Sequence, residues 1–284
     1  MKTIVLFGPN GQVGWELQRV LCSLGQVITV SSKQVDISDA AAIRQMIQQT
    51  QAHIIVNAAA YTAVDKAEVE PHIAMAVNAM AAEVMAQEAK RIGALLVHYS
   101  TDYVYPGDAN SPYAENAQTG PLCQYGRSKL AGDEAIQAVD GDYLILRTSW
   151  VYGTRGQNFL RTMQRLMQDK DALSIVSDQL GSPTWSRTIA EVTGQILAQQ
   201  PAVESGVYHL SAEGQTNWYA FAQEIRDLSG LTCALTPIST EQYPTPAARP
   251  AYSVLAGDKL ASTFGLVCPD WRQALALCLA YERE

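Results

Sequence analysis

A phenol and an amine open the chemical reading of this chain: Tyr125 and Lys129 stand four residues apart in the run Tyr125-Gly126-Arg127-Ser128-Lys129. That spacing puts both on one face of a helix. Such a pair also arises readily by chance, so its position decides what it is worth. Ahead of it, Ser100-Thr101-Asp102 follows an apolar run over residues 94–99 that reads as a strand. If this strand ends at the carboxyl edge of a parallel sheet, where open α/β folds bind ligands, Thr101 shares a pocket with Tyr125 and Lys129. The trio suits ketone reduction, in which hydride reaches carbon while the developing alkoxide takes a proton. Tyr125 would supply the proton, the Lys129 ammonium would lower the Tyr125 pKa, and Thr101 would hold the carbonyl oxygen.

A hydride needs a carrier, and Gly8-Pro9-Asn10-Gly11-Gln12-Val13-Gly14 offers a place for one. Its glycines fall three residues apart, after a strand predicted at 3–7 and before a helix predicted at 15–23. Glycines there permit a tight turn and let the backbone approach a pyrophosphate at the positive end of the helix. Gly8, Asn10, Gly11, Gln12, Val13 and Gly14 are therefore candidate dinucleotide contacts. The second strand ends in Val30-Ser31-Ser32-Lys33, with hydroxyls and a Lys where an acid would hold a ribose 2′-hydroxyl. This favours NADPH, with NADH the alternative, and makes Ser31 a candidate contact. Asp36 and Ile37 stand where such folds touch the adenine, although Asp36 also suits the N-cap region of the next helix.

The elements that must position these groups alternate regularly. Strands are predicted at 27–30, 53–57, 94–99 and 143–147, with helices at 40–49 and 73–92 and another beginning near Gln124. This alternation predicts an α/β fold of the Rossmann type, a doubly wound parallel sheet covered on both faces. After Trp150 the rhythm changes: helices are expected at 157–168 and 218–228, and residues 243–250, rich in proline, must be irregular. The expected organisation is a Rossmann domain over residues 1–150 and a smaller C-terminal substrate-binding lobe over 151–284, part of which can return to the first domain.

A formal charge of −8 and a pI near 5.0 argue against nucleic acid and anionic membranes as partners. No apolar run is long enough to span a bilayer and no secretory leader is evident, so the expected location is the cytoplasm. The five cysteines form no Cys-x-x-Cys pair and no zinc-ligand spacing with the four histidines. They read as small buried hydrophobes in a reducing compartment.

Seven segments carry a resemblance. They are residues 7–17, the run Asn57-Ala58-Ala59-Ala60-Tyr61-Thr62-Ala63-Val64-Asp65, Ser100-Thr101-Asp102-Tyr103-Val104-Tyr105, residues 125–132, Arg147-Thr148-Ser149-Trp150-Val151-Tyr152, residues 178–184 and residues 243–250. In this order, nearly end to end, the chain resembles the extended short-chain dehydrogenase/reductase superfamily and, more closely, its dTDP-4-dehydrorhamnose reductase family. The resemblance implies NAD(P)H-dependent reduction of the 4-keto group of dTDP-6-deoxy-L-lyxo-4-hexulose to dTDP-L-rhamnose. It implies Tyr125 as acid, Lys129 as its modulator and Thr101 as third member. Ala58, Ala59, Ala60, Tyr61 and Thr62 would line the cofactor, and Asp102 and Trp150 would meet the dTDP-sugar.

Tyr103 stands where the related dehydratases carry a Glu to move a C5 proton, which sets dehydration aside. Arg249, between prolines, is a candidate for the substrate's diphosphate, and equally a structural Arg tying down an irregular loop. Asn158 and Arg161 are similar candidates, with solvation the plainer role for Arg161. Some relatives are metal-bridged dimers that use a carboxylate after Gly-x-Pro-Thr, which makes a homodimer the assembly to test. Here Thr184 is followed by Trp185-Ser186-Arg187, and a cation at Arg187 would repel Mg2+, so no metal is expected. The competing readings are an epimerase or another sugar-nucleotide reductase of the superfamily, and a non-catalytic NADP-binding regulatory subunit.

Overall fold

Alternate residues of the first strand, β1 (Lys2–Phe7), enter opposite layers: Ile4 and Leu6 pack on one face of the sheet, Val5 and Phe7 on the other. Both faces are covered, so the strand reads as an unbroken apolar run. The computed structural model describes residues 1–199 and 203–283. From β1 the chain passes through α1 (Gln12–Leu21), β2 (Gly25–Val30), α2 (Ala40–Thr50), β3 (Ile54–Asn57), α3 (Val64–Ala67), α4 (Pro71–Met75), α5 (Ala81–Ile92), β4 (Leu95–Thr101), α6 (Gln124–Val139) and β5 (Tyr143–Thr148). The second half supplies β6 (Val151–Tyr152), α7 (Phe159–Asp169), β7 (Ala172–Val176), β8 (Leu180–Gly181), β9 (Thr184–Trp185), α8 (Ser186–Ala198) and β10 (Gly206–His209). It closes with β11 (Thr216–Asn217), α9 (Trp218–Ser229), β12 (Ala234–Ile238), α10 (Asp258–Phe264) and α11 (Trp271–Arg283).

Six strands form one sheet in the order β2-β1-β3-β4-β5-β10, with every neighbour parallel. The order reverses at β1, which opens a crevice at the carboxyl ends of β1 and β3. Helices α2, α5 and α6 cover one face, while α1 and α8 pack together on the other. This is the expected doubly wound Rossmann architecture, and the sheet draws its edge strand β10 and its covering helix α8 from the second half of the chain. The remaining second-half strands form two-stranded ladders, β6 with β9, β7 with β12 and β8 with β11. They surround a separate core of Tyr152, Trp185, Phe221, Ile225, Trp271 and Leu275.

Two local expectations need correction. The stretch predicted as one helix over residues 73–92 is divided into α4, a π-helical turn at Ala76–Met80, and α5. Wide turns of this kind recur at functional sites. Here the turn carries Asn78, buried to 1% exposure. The cysteines are also not uniform: Cys22 is exposed, whereas Cys123, Cys233, Cys268 and Cys278 are buried. No described helix is long and apolar enough to cross a membrane.

Candidate active site

The glycine turn holds its shape through contacts that leave no room for side chains. Gly8 sits at φ +78°, and a Cβ there would lie 2.6 Å from Ala59 N; a Cβ on Gly14 would lie 2.0 Å from Gly8 O. Gly11 is different, since a Cβ would meet nothing closer than 3.5 Å. Protein packing therefore demands glycine at positions 8 and 14, whereas the space beside Gly11 opens to the cleft, as close approach of a pyrophosphate requires. Helix α1 starts directly from Gly11 with no side chain capping its first turn, which leaves backbone N–H groups to meet an anion.

A cleft of about 660 Å³ runs from this turn along the carboxyl ends of the strands. Its wall includes Gly8, Asn10, Gly11, Gln12 and Val13, then Ser31 and Ile37, then Ala58, Ala59, Ala60 and Thr62, and finally Tyr125 and Lys129. No carboxylate lines it among the described residues, so nothing there opposes a 2′-phosphate beside Ser31 and Ser32. The buried Thr148 hydroxyl, also on the wall, has no hydrogen-bond partner within the protein. Shape, polarity and this unpaired hydroxyl all fit a phosphorylated dinucleotide.

Three other expected dinucleotide contacts, Gly14, Tyr61 and Asp36, and the substrate candidate Asn158 lie off the wall. Gly14 and Tyr61 support it: the Tyr61 amide donates to Asn78 Oδ1 at 2.9 Å, and its hydroxyl donates to Glu70. Asp36 is turned away, accepting from the Ser38 amide and hydroxyl. The N-cap of α2 is instead Asp39, which accepts from Ala41 N and Ala42 N. Asn158 caps α7 through Arg161 N and donates to Gln12 Oε1 at 2.8 Å, pinning the second lobe to the glycine turn.

Helix α6 brings the phenol and amine to the end of β4. Its N-terminus lacks a side-chain cap of its own; Gln124 N instead donates to Glu68 Oε1, just after α3, at 2.8 Å. Glycines let it press close: a Cβ on Gly126 would lie 2.3 Å from Tyr103 O, and one on Gly132 2.3 Å from Asn78 O. Asn78 Nδ2 donates to Ser128 Oγ and to Tyr61 O, locking the π turn, the cleft loop and α6 together. Tyr125 thus stands half-buried at the wall, hydrogen-bonded to Thr101 and edge-on to Tyr103 at 5.6 Å.

Burial pushes the Tyr125 phenol well above its ordinary pKa. This corrects the expectation that Lys129 lowers it in the ligand-free site. Lys129 Nζ is itself engaged, 2.9 Å from His98 Nε2 and 2.7 Å from Tyr99 O. Burial brings its pKa down to about 8, against an opposing pull from Asp133. Behind the pair, Asp133 Oδ2 accepts from Ser100 Oγ and from Arg147 Nε, forming a buried ion pair at 3.0 Å.

The residues assigned to the sugar nucleotide stand outside the cleft wall, toward the second lobe. Asp102 accepts from Thr101 Oγ1 at 3.0 Å, and burial raises its pKa to about 6. The Ser253 hydroxyl lies between this carboxylate and Leu180 O, with one proton to serve both. Trp150, at φ +45°, stacks on Trp218 at 3.5 Å with Gly181 beneath it. Arg249 pairs through both terminal nitrogens with Asp65, at 3.1 and 2.9 Å, and also donates to Ala247 O. Its contacts are those of a residue tying residues 243–250 to α3. Arg161 donates to Thr154 O, and Arg187 pairs with Glu191 at 2.9 Å.

Sequence reasoning missed Asn78, His98, Glu68 and the Arg147–Asp133 pair, together with Thr148, Val151, Gly156 and Gln157 on the cleft wall. The Gly153-Thr154-Arg155-Gly156 run, a second glycine-rich segment, was the one available signal for the last of these.

Fold and cleft together define a dinucleotide-dependent reductase of the short-chain dehydrogenase/reductase class. A family model describing the RmlD substrate binding domain matches residues 1–283. The chain is 45% identical to a dTDP-4-dehydrorhamnose reductase of Burkholderia thailandensis, covering 97% of each chain, and 43% identical to one of Escherichia coli, covering 95% of this chain and 94% of that one. A solved dTDP-4-dehydrorhamnose reductase from Bacillus anthracis, in complex with NADP, is similar with a TM-score of 0.95 at 34% identity over 99% of each chain. The chain belongs to the dTDP-4-dehydrorhamnose reductase family.

Proposed function

We propose that this chain reduces the 4-keto group of dTDP-6-deoxy-L-lyxo-4-hexulose to dTDP-L-rhamnose with NADPH, in the cytoplasm. The observation that carries the reading is the Tyr125 phenol, bonded to Thr101 and one helical turn from Lys129, on the wall of a cleft built for a phosphorylated dinucleotide. The bound dinucleotide supplies hydride to C4. Tyr125, kept neutral by its surroundings, holds the proton that O4 needs, and Thr101 orients that oxygen. When Tyr125 gives up its proton, the Lys129 ammonium stabilises the phenolate. Gly8, Gly11 and the free end of α1 hold the pyrophosphate, and Ser31 with Ser32 receives the 2′-phosphate. Asp102 and Trp150 are proposed to face the sugar, and Trp218 backs Trp150.

The test is consumption of NADPH by purified protein supplied with the 4-keto-6-deoxy-L-sugar nucleotide, with dTDP-L-rhamnose identified as product. Turnover with that product supports the reading. Absence of turnover, under conditions in which the Escherichia coli relative works, overturns it.

A further inference from the structure

His98 plays no part in that proton transfer, yet it is fully buried against Lys129. Its ring joins a chain of four groups. Ala59 N donates to Asn57 Oδ1 at 3.2 Å, Asn57 Nδ2 lies 3.1 Å from His98 Nδ1, and His98 Nε2 lies 2.9 Å from Lys129 Nζ. A backbone N–H can only donate, so Ala59 fixes which end of the Asn57 carboxamide faces it. The amide nitrogen then faces the imidazole, whose Nδ1 must accept. A neutral imidazole has one N–H, which falls on Nε2 and points at Lys129. Lys129 can accept that bond only as a neutral amine, while donating to Tyr99 O.

Protonation of Lys129 reverses the two side-chain links of the chain and breaks the one from Ala59. The ammonium has no lone pair, so Nε2 must accept, the ring proton moves to Nδ1, and the Asn57 carboxamide turns over to accept it. Asn57 Oδ1 then leaves Ala59, a residue of the cleft wall.

We propose that His98 is a positioning residue for the reduction: by changing tautomer without changing charge it serves Lys129 as donor or acceptor, and through Asn57 it couples the Lys129 proton to the dinucleotide cleft. This rests on the reading of Lys129 as the partner of Tyr125. The charged and titratable groups around the amine are His98 from β4, Tyr125 and Asp133 from its own helix, and Arg147 from β5, which neutralises Asp133. The loss of a proton from Lys129 near pH 8 brings the switch into an accessible range. A useful contrast is His209, whose Nδ1 faces Ala256 O and therefore carries the proton, while its Nε2 meets the Tyr105 hydroxyl.

The experiment is nitrogen NMR of 15N-histidine-labelled full-length protein across the Lys129 titration, without dinucleotide, with the His98 signals assigned by their loss in His98→Gln. The chain has four histidines, so the spectrum is simple. His98 is expected to stay neutral and to pass from the Nδ1–H to the Nε2–H tautomer as pH rises, while His209 keeps Nδ1–H. A His98 tautomer that is constant through the range overturns the proposal whether or not the protein turns over. Failure of turnover alone overturns only the function above.

Kinetics give the second readout. In Asn57→Asp, a carboxylate holds the Nδ1–H state, so the alkaline limb of kcat is expected to move up by about one pH unit. In His98→Leu, the ammonium loses an acceptor and the limb is expected to move down, with His98→Gln partly restoring it. Shifts in the same direction for Asn57→Asp and His98→Leu, or no shifts in folded protein, overturn the proposal.

Discussion

The half that carries the glycine turn meets the cleft with backbone and small side chains, whereas the second lobe sets packed aromatics beside the cleft, outside its wall. Gly8, Gly11 and Ala58 to Ala60 present peptide groups on a rigid parallel sheet. Trp150 stacks on Trp218 and Phe159 stacks on Phe221, with Phe159 tilted against Trp218, in a cluster carried by helices α7 and α9 and the residue before β6. A phosphorylated dinucleotide offers charges that N–H groups can satisfy at close range, so the first half needs absence of side chains more than presence. A sugar nucleotide varies in shape, and broad apolar faces with a few polar groups suit it. The groups proposed to move the proton, Thr101, Tyr125 and Lys129, stand on the side of the parallel sheet.

Four substitutions break or sharpen this contrast. Tyr125→Phe keeps the ring and removes the acid; kcat is expected to fall by about 10³-fold while NADPH affinity, measured by fluorescence titration, changes little. Equal loss of both would mean that the phenol is structural. Gly14→Ala places a methyl group 2.0 Å from Gly8 O, and a loss of about 3 kcal/mol is expected in chemical denaturation, along with weaker NADPH binding. A variant as stable as the parent would show that the turn is slack.

Asp102→Asn acts through pH. Burial raises the folded pKa to about 6 from an unfolded value of 3.8, so the fold favours the protonated acid. Stability from this group is present below about pH 4 and lost as pH rises to about 6. The Asn variant is therefore expected to gain about 2–3 kcal/mol at neutral pH and almost nothing near pH 4, measured by paired denaturant titrations. The smallest effect belongs to the lobe. Trp218→Ala frees Trp150 and is expected to raise KM for the sugar nucleotide about tenfold, leaving kcat and NADPH affinity nearly unchanged. A comparable loss in NADPH affinity would erase the distinction between the two halves.

Much of the sheet was legible because its signals are local. The apolar run ending in Phe7, the glycines at 8, 11 and 14, and the four-residue step from Tyr125 to Lys129 each encode their own element. The π turn was not legible, because Ala76-Val77-Asn78-Ala79-Met80 has the composition of ordinary helix, and Asn78 gains its role only from Tyr61 and Ser128. Nor was the state of the phenol: sequence adjacency suggested that Lys129 lowers its pKa, while the folded environment makes burial the stronger influence. Arg249 and Asn158 looked free to bind phosphate; their partners, Asp65 and Gln12, lie 184 and 146 residues away.

The sequence by itself determined the parallel sheet, the glycine turn and the helix that carries Tyr125 and Lys129 on one face, since short-range periodicity and glycine placement follow from backbone sterics alone. Only the tertiary structure decided which polar groups are already occupied, which way the His98 chain of hydrogen bonds runs, and which walls face the cleft. Those outcomes depend on donors, acceptors and burial brought together across the fold, and no local spacing encodes them.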